Sequence, residues 1–473
     1  MSKISRVTPL PHLDSQGGLT IKVVIELQSG ATGWGAVPKG ATPEKLRNLG
    51  ITHLEESEDA GGAAAEEYVH NFRRNLAPKL VGLEASNQES IDNLLSDYNT
   101  KEDWSLYGVN VMLAASIAVA RAAAREQRME LYQYIAGLYG QPVIESVPVP
   151  MTTVLEGGPR IGNNLDAQAV IIVPVGALSV NEAHLMTDAV FFKVQELMRN
   201  QDPPLNTSVG EQGGFVPIFW PRDKRKDDSW LEITRQALDL VVNAVEAAGF
   251  RLWEDFCLAI DFAMTGQIYN PKTGTYSFRK SARQAQGIVH PEHAEVASDD
   301  LLNLYREICG SHAVLYIEDP FHQSDTKGWN ALTRGHGSSM QIVGDDLFYD
   351  FAGVLSPRHL LRRFSDSSLA NGIVIMPNRA STLTGCISLI QLAQSLNYTT
   401  IMSVRARETE DDAIVDIAAG CGVSQIRCGG LQCTERNSKF DRLRLIEELS
   451  GHGTRYAGDR LLTVASSGQR SQK

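Results

Sequence analysis

"AVLYIEDP" (residues 313–320) and "MQIVGDDL" (340–347) are each a short apolar run that breaks off at an acid. Continuous apolar runs of this length read as strands buried on both faces, the condition of a parallel sheet. The same form recurs in "AQAVIIVPVG" (167–176), "FCLAIDFAM" (256–264), "NGIVIMP" (371–377), "TTIMSVRA" (399–406) and "VSQIRCGG" (423–430), with helical segments between them. Strand and helix taking turns over so many units predicts a closed (β/α) barrel. In a barrel the strand C-termini converge on one mouth, so Asp261, Glu318 and Asp345 should meet in space although they lie far apart in sequence. Three carboxylates with water completing the shell suit a hard, octahedral Mg²⁺. Each acid alone could equally be a turn or helix-capping residue.

Working outward, residues 1–35 alternate in a strand-like way, residues 62–98 read as helix with a polar break, and residues 108–140 as a long Ala-rich helix followed by a second. The Pro-containing "QPVIESVPVPMTTV" (141–154) disfavours helix and suits a linker or the first barrel strand. This predicts a small α+β domain over 1–145 and a barrel domain over 146–473, with a disordered tail "TVASSGQRSQK" (463–473). A net charge of −12 and an acidic pI argue against a nucleic-acid partner. No apolar run approaches a membrane span and the first residues lack a signal-peptide layout, so a cytoplasmic protein is expected. The six cysteines form no CxxC pair, which predicts free thiols rather than a zinc or redox site.

Further motifs carry a whole-chain resemblance: "YIEDPF" (316–321), "QIVGDDL" (341–347), "SVGEQGGFVP" (208–217), "RETEDD" (407–412), "QIRCGG" (425–430), "TERNSKFDRLRLIEELSG" (434–451), "LDSQGGLTIKV" (13–23), "VPKGAT" (37–42) and "EGGPRIGNN" (156–164). The chain resembles the enolase family. The resemblance implies an N-terminal α+β cap, an enolase-type barrel whose first units depart from regular βα order, Mg²⁺ on Asp261, Glu318 and Asp345, a small phosphorylated carboxylic acid as substrate, and a homodimer.

The same resemblance exposes what has changed. Met376 stands at the position of the basic Lys that removes the substrate proton, and a thioether cannot take a proton. The second Lys is Arg427, the Glu that assists the leaving hydroxide is Gln212, and another active-site Glu is Ala169. The family's His is Arg160, its last-strand His-Arg-Ser is Val404, Arg405 and Ala406, and the metal-loop Ser is lost, leaving Thr42 nearby and a new Lys39. Acids became neutral and a His became Arg, so the pocket is expected to be more positive, with Arg160, Arg405 and Arg427 gripping an anionic ligand. For each arginine a salt bridge to a neighbouring acid is the competing expectation.

The candidates are therefore Arg427, Arg160, Glu211 and Gln212 for catalysis, and Arg405, Arg160, Thr42, Lys39 and Gln168 for ligand binding. Glu211 could take over proton transfer, although adjacent residues point in different directions. The implied function is a Mg²⁺-dependent, lyase-like enzyme on a phosphorylated or phosphonylated three-carbon carboxylate, similar to carboxyphosphonoenolpyruvate synthase. The alternatives are a catalytically dead enolase homologue kept as a binding or structural protein, and an impaired phosphopyruvate hydratase.

Overall fold

Strand β1 (Ile4–Leu13) pairs antiparallel with β2 (Leu19–Leu27), and β2 with β3 (Thr32–Val37). The residues described by this computed structural model are 2–38, 63–101, 109–141, 143–158, 161–219, 230–266, 268–277, 295–348, 369–451, 453–458 and 461. Alternate residues of β2 are buried, among them Ile21, Val23 and Ile25, because the sheet covers helix α1 (Val109–Glu126) with one face only. That packing is unusually close. A Cβ on Gly33 would stand 2.1 Å from the Ala118 carbonyl oxygen, and one on Gly35 2.4 Å from that of Ala114. Glycine on the sheet and alanine on the helix are thus the two halves of one contact.

The barrel is built from β4 (Val149–Glu156), β5 (Ala169–Val173), β6 (Cys257–Asp261), β7 (Val314–Glu318), β8 (Gln341–Gly344), β9 (Gly372–Ile375), β10 (Thr399–Ser403) and β11 (Gln425–Gly429), closed by the pairing of β11 with β4. Helices such as Val180–Arg199, Ser298–Ser311 and α2 (Thr434–Ser450) connect or follow the strands. The expected closed barrel is present, and its first units depart from uniform βα order as the family resemblance implied. Strand β5 runs antiparallel to both β4 and β6, so "AQAVIIVPVG" is not a parallel βα unit. No described helix separates β4 from β5, and a strand that returns directly must reverse direction. "QPVIESVPVPMTTV" supplies the start of β4, the second of its two expected roles.

Cap and barrel are clamped by Arg121 of α1, which is almost wholly buried. Its guanidinium donates to Asp411 Oδ1 and Oδ2 at 2.7 and 2.8 Å, to Asp412 Oδ1 at 2.6 Å and to the Trp34 carbonyl at 2.7 Å. All six cysteines are free, as expected. No described helix is long and apolar enough to cross a membrane.

Candidate active site at the barrel mouth

Cross-strand register aligns Glu156 of β4 with Ala169 of β5, Ala169 with Asp261 of β6, and Asp261 with Glu318 of β7. Paired residues share a face of the sheet, so these four form one row across the mouth. Val343 of β8 continues the row opposite Glu318, and Asp345 lies two residues on, returning to the same side. The three sequence-predicted acids therefore come from strand ends at the same mouth.

The space between two of them is filled. Arg427 of β11, only 4% exposed, donates through Nη1 to Asp261 Oδ2 at 2.7 Å and to both Glu318 oxygens at 3.1 Å, and through Nη2 to Gln212 Oε1 at 3.0 Å. Of the two expectations for this arginine, the salt bridge describes its contacts. Gln212 accordingly acts as its hydrogen-bond partner. Asp345 Oδ1 is buried and accepts no hydrogen bond, its nearest ion-pair contact being Arg379 Nη1 at 3.9 Å.

Among the described residues, one group of three acids has ligand atoms all within 4.8 Å of one another: Asp319, Asp345 and Asp346. It shares only Asp345 with the expected trio, whose members stand wider apart. Asp319 is a bracket for the strand end. Its Oδ1 and Oδ2 accept the backbone N–H groups of Asp345 and Asp346, each at 2.9 Å, and its own backbone has a φ of +41°. Asp319, beside Glu318 in "YIEDP", went unnoticed in the sequence because a strand-end acid and a turn acid look alike.

Burial, and then neighbouring carboxylates, push Asp261, Glu318 and Asp346 up. Glu318 is raised to about 8, first by desolvation and then by Asp261, with Arg427 opposing; Asp346 is raised to about 6 by burial and by Asp345. In chemistry the mouth acids suit a divalent cation, since they offer hard carboxylate oxygens and Asp345 Oδ1 accepts no hydrogen bond, but Arg427 occupies Asp261 and Glu318.

Met376 follows β9 directly and is buried, with Arg405 Nη1 3.3 Å from its sulfur. Arg405 is held by backbone as well, its N–H donating to Glu408 Oε1 at 2.8 Å. Gln168 is fixed beside the end of β6, its N–H donating to the Asp261 carbonyl at 2.7 Å. Arg160, Lys39 and Thr42 lie outside the described residues.

The loop 210–214 reaches the site by backbone contact. Gly430 N–H donates to the Gln212 carbonyl at 2.6 Å, and a Cβ on Gly430 would stand 2.1 Å from the Gly213 carbonyl oxygen. The glycines of "GEQGGF" thus allow close approach of one loop to another. Beneath them lies a group that sequence reasoning missed. Glu156 is 2% exposed, and its Oε2 accepts the Gln212 N–H at 2.9 Å. Burial pushes Glu156 up to about 7, against the opposing N–H groups of Gln212 and Gly214. The available signal was its position directly opposite Ala169, which no single-strand reading could supply.

Glu211, the predicted proton carrier, offers its backbone carbonyl to Arg436 Nη2 at 3.1 Å, while Glu156 adds a third carboxyl to the mouth row beside Asp261 and Glu318. A carboxyl whose folded value exceeds its unfolded one holds its proton more tightly in the native state, so its stabilising effect is full below about pH 4.5 and is lost as pH rises through about 7. Glu156→Gln is therefore expected to stabilise the protein at pH 8, by on the order of 3 kcal/mol at most. Urea unfolding at pH 5 and pH 8 checks it; an unchanged pH slope in the variant would refute the assignment.

Residues 4–135 match the family described as "Enolase, N-terminal domain", and residues 144–465 the family described as "Enolase, C-terminal TIM barrel domain". Among curated relatives, the chain is 32% identical over 462 residues to "Enolase" of Corynebacterium kroppenstedtii, covering 97% of this chain and 98% of the relative. It is likewise 32% identical over 455 residues to "Enolase" of Ehrlichia chaffeensis, covering 96% and 98%.

Proposed function

The chain belongs to the enolase family, and from that premise we propose that it is a Mg²⁺-dependent member acting on a phosphorylated or phosphonylated three-carbon carboxylic acid. Its chemistry differs from the dehydration of 2-phosphoglycerate, and carboxyphosphonoenolpyruvate synthase is a concrete parallel. The observation that carries this reading is the pair of buried strand-end acids Asp261 and Glu318 with the half-buried Asp345, whose Oδ1 accepts no hydrogen bond, beside a methionine where the resemblance puts the family's base.

Asp261, Glu318 and Asp345 would hold the ion, which would supply Lewis-acid stabilisation of charge on a ligand carboxylate. Arg405 presents a guanidinium at the mouth that suits a carboxylate or phosphonate. Met376, buried beside it, puts a thioether that cannot take a proton on that side of the mouth. Glu156, able to hold a proton near neutral pH, replaces Glu211 as the acid or base in this proposal. Arg160, Lys39 and Thr42 belong to the proposed ligand shell on the resemblance alone, and so does a homodimer.

A second reading, a catalytically inactive enolase homologue used as a binding or structural protein, draws support from Arg427 already neutralising two of the acids. A thermal-shift titration separates the two. With Mg²⁺ and one of 2-phosphoglycerate, phosphoenolpyruvate or phosphonoformate at a hundredfold excess over Kd, stabilisation of about 2.7 kcal/mol is expected, and Asp345→Ala should abolish it. Absence of a shift with every acid would leave the inactive-scaffold reading standing.

A further inference from the structure

We propose that Arg427 is the built-in cation of the acid site, and that Mg²⁺ loads this site only by displacing the guanidinium. The inference rests on the reading that Asp261, Glu318 and Asp345 take a divalent ion, and concerns what that ion must overcome.

The competition follows from geometry. Nη1 lies 2.7 Å from Asp261 Oδ2 and 3.1 Å from both oxygens of Glu318, so one nitrogen draws on the lone pairs of two of the three prospective ligands. Mg²⁺ requires oxygen at about 2.0–2.1 Å in near-ideal octahedral geometry. A dication at that distance from the same oxygens would face a guanidinium nitrogen across a single atom, so the two cations exclude each other. Tyr316 strengthens the existing arrangement by donating its hydroxyl to Glu318 Oε2.

The third acid shows what the arginine leaves undone. The guanidinium spends Nη1 on Asp261 and Glu318 and Nη2 on Gln212, while Asp345 Oδ1 accepts no hydrogen bond. A spherical dication drawing three carboxylates together would satisfy that oxygen, which a planar fork anchored at Gln212 does not. Gln212 also gives the displaced side chain a retained partner, since Nη2 could keep its 3.0 Å contact while Nη1 swings clear. The Glu-to-Gln and Lys-to-Arg departures then form one device: a neutral acceptor that holds a longer, forked cation over the metal ligands.

The test is isothermal titration of Mg²⁺ into the full-length wild type, Arg427→Lys and Arg427→Met, with the thermal midpoint of each recorded with and without the ion. Expected is a Kd for Mg²⁺ that falls at least about tenfold from wild type to the Met variant, with Lys between them. The Mg²⁺-free midpoint should fall in the same order, and saturating Mg²⁺ should restore more of it in the variants than in wild type. Asp345→Asn added to each background should remove the binding. If the Met variant fails to fold, the wild-type and Lys proteins carry the comparison, because an ammonium cannot bridge both acids and Gln212 together. Equal Mg²⁺ affinity in all three would overturn the competition while leaving the metal reading intact. Weaker binding in the variants would make Arg427 a support of the site and overturn it as well. No binding by any of them would overturn both.

Discussion

With 2-phosphoglycerate and saturating Mg²⁺, turnover is expected to lie at least about 10²–10⁴-fold below that of an enolase that keeps its base, the usual worth of a positioned general base. The side chain following β9 is Met376, buried and with Arg405 Nη1 3.3 Å from its sulfur, and a thioether supplies no proton acceptor. Groups that serve one transition state act as a unit. Met376→Lys alone is therefore expected to recover little activity, because Gln212 remains bound to Arg427 and position 169 remains alanine. A coupled absorbance assay for phosphoenolpyruvate, run on wild type and Met376→Lys, measures both. Turnover at the ordinary rate in the wild type would sink this view and make the chain a working phosphopyruvate hydratase, with Glu156, raised to about 7, as the first residue to replace.

Arg436→Met should cost about 3–5 kcal/mol of stability, since hydrogen bonds from a charged donor are worth about 1.5–3 kcal/mol each and three are lost. Arg436 of α2 is fully buried and donates to three carbonyls on two loops: Arg405 at 2.7 Å, Ala406 at 2.5 Å and Glu211 at 3.1 Å. It therefore joins the loop that carries Gln212 to the one that carries Arg405. Removing it strands buried acceptors as well as losing the bonds themselves. Urea unfolding gives the stability, and amide exchange at Gly430, bonded to the Gln212 carbonyl at 2.6 Å, reports whether the loops part. A loss below about 1 kcal/mol, the scale of an ordinary substitution, would show that the carbonyls find other partners.

Much of this molecule is legible in the chain itself. Short apolar runs bounded by turns require burial on both faces, and their alternation with helices leaves a closed barrel as the natural way to cover them. The acids that end β6 and β7, and Asp345 just past β8, were readable for the same local reason: a charge terminates a buried strand where it meets solvent or a ligand. That Met376 cannot accept a proton was readable too, since it depends on residue type alone, while its standing at the position of the family's base rests on the resemblance.

Other features depend on which neighbours the fold supplies. The reversed direction of β5 follows from its return without a helix, and apolar content carries no strand polarity. Glu156 gains its raised proton affinity from burial beneath a loop more than fifty residues away in the chain, and desolvation is a property of packing. An arginine read along one strand faces an imagined ligand as readily as an acid. Only the closed barrel sets Arg427 within 2.7 Å of Asp261, because electrostatic partners are chosen by distance in space. Sequence by itself determined the scaffold and the residue types at its mouth; tertiary structure decided that Asp261 and Glu318 are paired with one of the protein's own side chains, Arg427.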